Sequence, residues 1–316
     1  MIVDICMLFI KNRIINVIPL GGGHINETYL IETEDGRYIC QRISRDMDTA
    51  KLEHNYSLYS KACSESDLAY PALLKTDEGD FFALDPDGGS WRVYPMIEGD
   101  ILNTSPISEE ELRECGMGLA RLHGMLSSVA EKPQANYPHL HDLKHYYDIY
   151  RRSLESTDLS EENRDRDLEE LIEEKYAAMP YYMAEPRWVI HGDTKLANIL
   201  FEKERVKGFI DFDTIMMGSV AEDVADCIRS ACLRDGVLDE RGAAHLTEGY
   251  LCAARPDMAE EVRELLPAAL SKICFELGLR YYTDAVSKSE IFTEKYPGYR
   301  IVNAKNLIAL QNCKVL

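Results

Sequence analysis

One segment, His191-Gly192-Asp193-Thr194-Lys195-Leu196-Ala197-Asn198, constrains the fold more than any other part of the 316-residue chain. Apolar runs enclose it, at residues 188–190 before it and 199–201 after it. A loop fixed between two short buried strands can hold a carboxylate and an amide in constant relative positions. Phosphoryl transfer needs such positioning, because an Asp takes the acceptor proton and an Asn oxygen binds Mg²⁺. The segment therefore predicts a catalytic loop.

A second acidic strand end, Phe209-Ile210-Asp211-Phe212-Asp213, follows closely. The kinase template has the same order: a base, a metal-binding Asn, and a metal-binding Asp on the next strand. We therefore predict Asp193 as the base, with Asn198 and Asp211 as Mg²⁺ ligands. Asp213 is either a further metal ligand or a hydrogen-bond anchor for the loop. Lys195, two residues past the base, is predicted to reach the transferred phosphoryl group and stabilise its negative charge.

Composition and charge limit the partners. With 46% hydrophobic residues, the chain can bury the cores of two lobes. A formal net charge of −20 argues against nucleic acid or an anionic membrane as partner. It leaves ATP possible, because Mg²⁺ and a few cations can meet its charge locally. The nine cysteines include no C-x-x-C pair, and no apolar run reaches the roughly 18 residues of a membrane span. We expect a cytoplasmic protein without a signal peptide; its oligomeric state stays open.

The N-terminal part reads as an antiparallel sheet with a glycine-rich loop between its first two strands, at residues 14–18 and 28–33. Because that loop does not open a helix, it is neither a P-loop nor a Rossmann turn. A glycine-rich hairpin lets the backbone approach phosphates closely. The loop residues predicted to bind the nucleotide are Gly21, Gly22, Gly23, His24 and Asn26.

The third strand, at residues 37–43, is expected to carry a cation for the ATP phosphates. Arg42 is the available one, and Gln41 beside it points to the opposite face, so only one of the two faces the nucleotide. A helix predicted at residues 49–62 carries Glu53. We predict an Arg42–Glu53 ion pair, the kinase arrangement of third strand and helix.

A further hairpin, at residues 81–94, ends at Pro95-Met96-Ile97-Glu98-Gly99. A strand that runs into a glycine at this point is typical of the hinge of a two-lobed kinase. We predict that backbone groups of Tyr94, Met96 and Ile97 bind the adenine. The boundary then separates an N-terminal nucleotide-binding lobe, residues 1–98, from a catalytic and acceptor-binding lobe, residues 99–316.

Past this boundary the chain turns helical, beginning with the capping box that Ser108 opens. The predicted class is α+β: a two-lobed protein-kinase-like fold with an N-terminal antiparallel sheet plus helix and a mostly helical C-terminal lobe. His123 is predicted to be a packed histidine, and His191 to brace the catalytic loop. Asp223 and Arg229 form a structural ion pair beneath the loop, or else Arg229 faces the acceptor.

The pattern H-G-D-x-x-x-x-N followed by I-D-F-D resembles the aminoglycoside phosphotransferase and choline kinase superfamily. Several segments are closer to the N-acetylhexosamine 1-kinases and their uncharacterised relatives. These segments, spread over nearly the whole chain, are Gly23–Leu30, Gln41–Ile43, Trp91–Tyr94, Ile210–Thr214 with Gly218, and Gly278–Asp284.

The resemblance implies ATP- and Mg²⁺-dependent phosphorylation of the anomeric hydroxyl of N-acetylglucosamine or N-acetylgalactosamine. Arg229 and Arg280 are candidate acceptor residues, with His24 a further one. Gln41-Arg42 departs from the usual third-strand lysine of the superfamily, and Gly192 stands where the subgroup is expected to have Asn. These departures leave the acceptor open.

Other small-molecule kinases would use the same base and metal ligands. The alternatives are a choline, ethanolamine, homoserine or aminoglycoside kinase, and a non-catalytic nucleotide-binding regulatory relative. A protein kinase is disfavoured, because the twelve residues from Asp211 to Asp223 contain no A-P-E segment and leave little room for an activation loop.

Overall fold

The N-terminal third forms one antiparallel sheet, as its runs of β-branched and aromatic residues predict. The computed structural model describes residues 1–21, 26–102, 107–179, 186–287, 289 and 291–310. The strand order is β1-β2-β3-β5-β4. The elements here are α1 (Ile2–Met7), β1 (Ile14–Leu20), β2 (Glu27–Thr33), β3 (Arg37–Arg42), α2 (Thr49–Ser64), β4 (Ala83–Leu84) and β5 (Ser90–Pro95).

The two faces of this sheet pack against different helices. Cys40 and Trp91 belong to the core beneath α1, whereas Ile39 and Tyr94 belong to the core shared with α2 and the C-terminal lobe. Because side chains alternate along a strand, Gln41 lies on the same face as Ile39. This decides which of the two polar residues ending β3 faces the cleft between the lobes: it is Gln41.

The rest of the chain is mostly helical, which confirms the predicted fold class. The capping box is present, since the Glu111 N–H donates to Ser108 Oγ (3.1 Å) and the Ser108 N–H donates to the Glu111 carboxylate (2.8 Å). The elements are α3 (Glu109–Leu126), α4 (Leu143–Leu154), α5 (Arg166–Ala178), β6 (Trp188–Ile190), β7 (Ile199–Glu202), β8 (Arg205–Phe209), β9 (Met216–Gly218), α6 (Val220–Cys232), β10 (Leu233–Arg234), β11 (Val237–Leu238), α7 (Glu240–Ala253), α8 (Pro256–Ser287) and α9 (Tyr299–Ile308).

Helix α8 has a proline in its interior. It begins at Pro256 and continues through Pro267 for 32 residues in all. Ala269, Leu270 and Ile273 lie in the main core. Burial of this apolar surface outweighs the backbone hydrogen bond that an internal proline removes.

Backbone contacts join the sheet-bearing part of the chain to the catalytic region. Asp100 and Phe201 exchange two backbone hydrogen bonds (2.8 and 2.9 Å). Gly208 lies so close to Ala69 that a Cβ there would be 2.1 Å from the Ala69 carbonyl oxygen. Glycine is therefore required at Gly208. The lobe boundary between residues 98 and 99 stays a prediction, and in the described residues no helix is long and apolar enough to cross a membrane.

Candidate active site

The backbone of the catalytic loop is held by hydrogen bonds to a buried carboxylate. The N–H groups of His191 and Gly192 donate to the two oxygens of Asp223 (2.8 and 2.9 Å). Thr194 Oγ1 donates to the Asp223 carbonyl (2.5 Å). Gly192 has φ +83°, and a Cβ there would lie 2.6 Å from the Thr214 carbonyl oxygen. Glycine is thus the residue this turn accepts, and Asp223 fixes the backbone directly before the predicted base.

Asp223 is itself held by a histidine on α3. The Asp223 side chain is fully buried, and its Oδ2 lies 3.0 Å from His123 Nε2. Burial acts to raise the pKa of Asp223, but His123 and the loop N–H groups outweigh it, so the pKa lies below its usual range. His123 is the packed, hydrogen-bonded histidine that the sequence predicts. The predicted Asp223–Arg229 ion pair is wrong: Arg229 pairs with Asp226, at 2.7 Å.

The predicted base is the centre of a compact polar cluster. Lys195 Nζ lies 2.6 Å from Asp193 Oδ2. Asn198 Nδ2 donates to the Asp193 carbonyl (2.8 Å) and to Oδ2 (3.1 Å). Burial acts to raise the pKa of Asp193, and the Lys195 ammonium outweighs it, so the carboxylate is ionised well below neutral pH. The three residues are brought together as the loop motif predicts, and in the described residues the Asn198 Oδ1 atom makes no hydrogen bond.

His191 braces the loop through hydrogen bonds to backbone groups. Its Nε2 lies 3.0 Å from the Ile210 carbonyl oxygen, and its Nδ1 accepts from the Asp193 N–H (3.3 Å). A carbonyl only accepts, so Nε2 carries the single ring proton. Burial lowers the pKa of His191, which keeps the ring neutral. The predicted bracing role agrees with this geometry.

Asp211 lies near Asp193 and Lys195 of this cluster and makes no ion pair with the described residues. Its backbone is left-handed, with φ +68°, a conformation that Asp and Asn tolerate better than other side chains with a Cβ. Burial, with Asp213 and Asp193 nearby, raises the pKa of Asp211 to about 7. A site that drives a carboxylate toward neutrality favours a bound cation.

The donor set fits Mg²⁺. The described residues contain no cluster of three or more His, Cys, Asp or Glu side chains placed to hold a metal. Mg²⁺ at nucleotide sites takes only one or two carboxylates and completes its shell with phosphate oxygens and water. Asp211 and the Asn198 amide oxygen supply that kind of partial set.

Asp213 is engaged as an anchor between sheet and loop. Its two oxygens accept from Arg92 on β5 (2.5 and 2.8 Å), and Oδ2 also accepts from Asn26 Nδ2 (3.0 Å). Arg92 further donates to Gln41 Oε1 (2.8 and 3.0 Å). Of the two roles that the sequence left open for Asp213, these contacts favour the hydrogen-bond anchor.

The cationic side chain on the cleft-facing side of the sheet is Arg92, not Arg42. Arg42 points to the other face, where it pairs with the buried Asp85 (2.8 Å) and with Glu27 (3.3 Å). Glu53 is exposed on α2, so the predicted Arg42–Glu53 pair does not form. The reason is strand alternation: with Gln41 facing the cleft, Arg42 cannot.

Of the other residues predicted to bind the nucleotide, the structure describes only some. Gly22, Gly23 and His24 lie outside the described residues, and Gly21 is exposed with open space around its Cα. Asn26 accepts from the Ser44 N–H (2.9 Å) while donating to Asp213, so it ties the glycine-rich loop to the anchor.

At the predicted hinge, Tyr94 is buried and the Met96 N–H donates to the Arg37 carbonyl (2.9 Å). The Met96 N–H group is therefore already engaged in a hydrogen bond of the sheet. Adenine recognition by Tyr94, Met96 and Ile97 stays a prediction, with the Met96 carbonyl and the Ile97 backbone as the groups to test.

A cavity of about 370 Å³ opens beside Lys195, within the range of small-molecule sites. Arg229 and Tyr281 contribute to its wall. The other lining residues are Leu196, Ala197, Ser230, Leu233, Arg234, Asp235, Gly236, Leu277, Asn303, Asn306 and Leu307.

Arg280 lies on the adjoining face of α8. Its guanidinium carbon sits over the rings of Tyr146 (4.8 Å to the centroid) and Phe292 (5.7 Å). With the part of the chain that the structure describes, Arg280 makes no ion pair. Stacking fixes the planar donor fork while leaving its N–H groups free to bind a ligand.

Sequence reasoning missed Arg92 and Asp226, and it gave Asp223 the wrong partner. Arg92 and Asp213 are 121 residues apart, and no local pattern joins them. Asp226 and Arg229, in contrast, are three residues apart on α6, which is the spacing of neighbours on a helix. Helical spacing was therefore a signal for that pair, whereas Asp223 and Arg229, six apart, point to different sides.

Comparison with known proteins agrees with this geometry. The sequence profile of the phosphotransferase enzyme family matches residues 16–260. A homoserine kinase of Polaromonas naphthalenivorans is 28% identical over 258 residues, which cover 80% of this chain and 77% of the relative.

Solved structures show the same fold at low identity. An amicoumacin kinase in complex with AMP-PNP, Ca²⁺ and Ami superposes with a TM-score of 0.66 and 13% identity, covering 97% of this chain and 92% of that one. A microcompartment-associated aminopropanol kinase gives 0.64 and 16%, covering 93% and 90%. At these identities the likeness concerns the fold alone.

Proposed function

The chain belongs to the phosphotransferase enzyme family, and from this premise we propose that it is an ATP- and Mg²⁺-dependent kinase that phosphorylates the anomeric hydroxyl of an N-acetylhexosamine. The observation that carries the kinase chemistry is the convergence of Asp193, Lys195 and Asn198 opposite Asp211. One carboxylate is stabilised in its ionised form by a lysine at 2.6 Å, and the other makes no direct ion pair with the described residues. This division suits one group that accepts a proton and one that binds a cation.

In the proposed reaction the acceptor hydroxyl binds against Asp193, which orients it and takes its proton as the oxygen attacks the terminal phosphorus of ATP. The bond from that phosphorus to the β-phosphate oxygen breaks, and ADP leaves with the oxygen. Lys195, 2.6 Å from this carboxylate, favours its ionised form. We expect the same ammonium to stabilise the negative charge of the transferred phosphoryl group. Asn198 and Asp211 would hold Mg²⁺, which would supply positive charge to neutralise the phosphates of the nucleotide. Arg92 keeps Asp213, and with it the strand end bearing Asp211, against the sheet.

The acceptor side supports a sugar. The cavity is lined by Lys195, which contacts the predicted base, and Arg280 offers hydrogen-bond donors framed by two aromatic rings. A neutral sugar presents hydroxyl and amide oxygens to such donors and an apolar ring face to aromatics. The sequence segments quoted above, from Gly23–Leu30 to Gly278–Asp284, add the resemblance to hexosamine kinases.

A homoserine kinase is the second candidate, because the relative from Polaromonas naphthalenivorans has that name and aligns with this chain over 77% of its own length. Homoserine also offers a carboxylate, for which the Arg280 guanidinium, which makes no ion pair with the described residues, is a chemically suitable partner. The two acceptors differ enough to be separated in one assay.

The test measures ADP release from ATP in the presence of Mg²⁺ and one acceptor at a time. The acceptors are N-acetylglucosamine, N-acetylgalactosamine, the parent hexoses glucose and galactose, homoserine, choline, ethanolamine and kanamycin. We expect turnover with an N-acetylhexosamine and none with its methyl glycoside, whose anomeric oxygen is blocked. Phosphorus NMR of the product is expected to show a sugar 1-phosphate. Turnover confined to homoserine establishes the second candidate. Tight ATP binding without turnover on any compound leaves a regulatory relative as the explanation.

Arg280→Ala is predicted to weaken acceptor binding selectively. We expect the acceptor KM to rise about 10–100-fold, the equivalent of roughly 1.4–2.8 kcal/mol, because charge-assisted hydrogen bonds to the acceptor are lost. The KM for ATP is expected to stay within about twofold. Arg280→Lys keeps the charge but not the planar fork and should recover only part of the loss. An unchanged acceptor KM in Arg280→Ala excludes Arg280 from the acceptor site.

A further inference from the structure

His141 occupies an unusual position between the catalytic loop and the acceptor-side helices. It directly precedes Asp142, the N-cap of α4, and has a left-handed backbone with φ +62°. Such a conformation costs a histidine about 1–3 kcal/mol, so surrounding contacts hold it in place. Its side chain is only 9% exposed. One of those contacts is to the catalytic loop, where His141 Nε2 lies 3.1 Å from the Gly192 carbonyl oxygen.

The other side of the ring faces a buried acid. His141 Nδ1 lies 3.9 Å from Glu276 Oε1, and the Glu276 side chain is 3% exposed. Within the described residues, neither His141 Nδ1 nor Glu276 Oε2 has a hydrogen-bond partner. The separation is too long for a hydrogen bond but short enough for an ion pair. A buried carboxylate in this state needs a positive charge beside it.

The geometry fixes the protonation of the ring. A carbonyl oxygen only accepts hydrogen bonds, so His141 Nε2 carries a proton. In a neutral ring Nδ1 would then turn its lone pair toward the Glu276 carboxylate, which is repulsive. A proton on both nitrogens removes this conflict and gives Glu276 its counter-charge.

The other charged groups around His141 agree with an imidazolium. Helix α6 adds two acids, Glu222 and Asp226, and the cations near them are already paired: Lys272 with Glu222 (2.6 Å) and Arg229 with Asp226 (2.7 Å). Burial acts to lower the pKa of His141, but Glu276, Glu222 and Asp226 outweigh it and raise the pKa to about 9.

We propose that His141 is a positioning residue, an imidazolium that joins the catalytic loop at Gly192 to Glu276 on helix α8. Gly192 directly precedes the predicted base, Asp193. Glu276 stands one helical turn before Arg280, on the same side of α8. The pair therefore sets the distance between the catalytic carboxylate and the acceptor-side helix. The inference rests on phosphoryl transfer at this loop and not on which acceptor is used.

A raised pKa gives the contact a defined pH range. An imidazolium with a pKa of about 9, against an ordinary value near 6.5, is fully formed below pH 6.5 and is lost as the pH rises through about 9. We expect kcat to fall over this upper range in the wild-type enzyme. Glu276→Gln removes the strongest counter-charge, so the fall should begin at least one pH unit lower.

The test compares His141→Gln, Glu276→Gln and the double variant. His141→Gln removes the cation that Glu276 faces within the described residues, and we expect kcat to drop roughly 10–100-fold with the KM for ATP unchanged. In the double variant two neutral amides face each other, so it should recover most of the lost kcat and Tm while lacking the alkaline fall. The matched control is His139→Gln, an exposed histidine two residues earlier, expected within twofold of wild type.

Two results would overturn the proposal. One is an alkaline limb that stays in place in Glu276→Gln, and the other is a double variant no better than His141→Gln. An NMR titration of the His141 ring, assigned by its loss in His141→Gln, needs no acceptor. A midpoint near 6.5 or below contradicts the imidazolium even if the kinase assay finds no substrate, so this failure is distinct from failure of the proposed function.

Discussion

Replacing Asp193 with Asn is expected to lower kcat by roughly 10²–10⁴-fold, the usual contribution of a positioned general base. The amide keeps the size of the side chain but cannot accept the hydroxyl proton. It also removes the charge that holds Lys195 at 2.6 Å, so the lysine loses its fixed position in the cluster. ADP release with the best acceptor from the panel measures the effect.

Binding of MgATP separates loss of chemistry from loss of the fold. Asp193 contacts Lys195 and Asn198 but is not assigned to the cation, so the Kd for MgATP should stay within a few-fold of wild type. Asp148→Asn is the matched control, because Asp148 lies on the outer side of α4 in an exposed ion pair with Lys144. A kcat for Asp193→Asn close to that of the control would show that another group is the base.

The catalytic loop was predictable because its parts lie within eight consecutive residues. The spacing from Asp193 to Asn198 fits a loop between two short strands, and the fold provides that loop. The glycine-rich hairpin and the third strand were likewise recognisable from local pattern. What local pattern cannot give is the partner of a charged side chain that reaches across the molecule.

The Arg42 prediction shows where this limit lies. Alternation established that Gln41 and Arg42 face opposite sides, but choosing the side requires knowing that α1 covers one face of the sheet. Once Arg42 is placed beside Asp85, Arg92 on the neighbouring strand becomes the cation in the cleft, opposite Gln41 in the register. That choice depends on tertiary packing and not on the sequence of β3.

The hydrogen bonds that hold the catalytic loop from behind show even more strongly that local sequence does not reveal distant partners. Asp223 holds the N–H groups of His191 and Gly192, and His123 on α3 holds Asp223. These residues are separated by 31 to 100 positions. The sequence indicates a structural role for His123 and for Asp223, but their partners follow only from the packing of α3 and α6 behind the loop.

Asp211→Asn is expected to change activity and stability in opposite directions. The substitution removes a predicted Mg²⁺ ligand, and loss of several kcal/mol of charge stabilisation corresponds to roughly 10²–10⁴-fold in kcat, which excess Mg²⁺ should not restore. Asn tolerates the left-handed backbone at this position, where φ is +68°, so the loop geometry is kept. Steady-state assays across a Mg²⁺ series measure this loss.

The effect on stability follows from the raised pKa of Asp211, about 7 against an ordinary value of 3.8. Between these values the folded metal-free protein binds more protons than the unfolded chain, so the free energy of unfolding falls as the pH rises from about 4 to about 7. The full shift corresponds to an upper bound of roughly 4 kcal/mol, which partial exposure to solvent reduces. Asp211→Asn carries no charge and should escape this loss.

Thermal unfolding in EDTA at pH 5 and pH 8 tests the sign. We expect metal-free wild type to lose Tm between these two values and Asp211→Asn to lose less, so that the inactive variant is the more stable protein at pH 8. Mg²⁺ with ATP should raise the Tm of wild type at pH 8 more than that of the variant, since binding to the folded state stabilises it. A variant that is less stable than wild type at pH 8 would mean that the Asp211 carboxylate is compensated within the chain, and the case for a cation between Asp211 and Asn198 would fail with it.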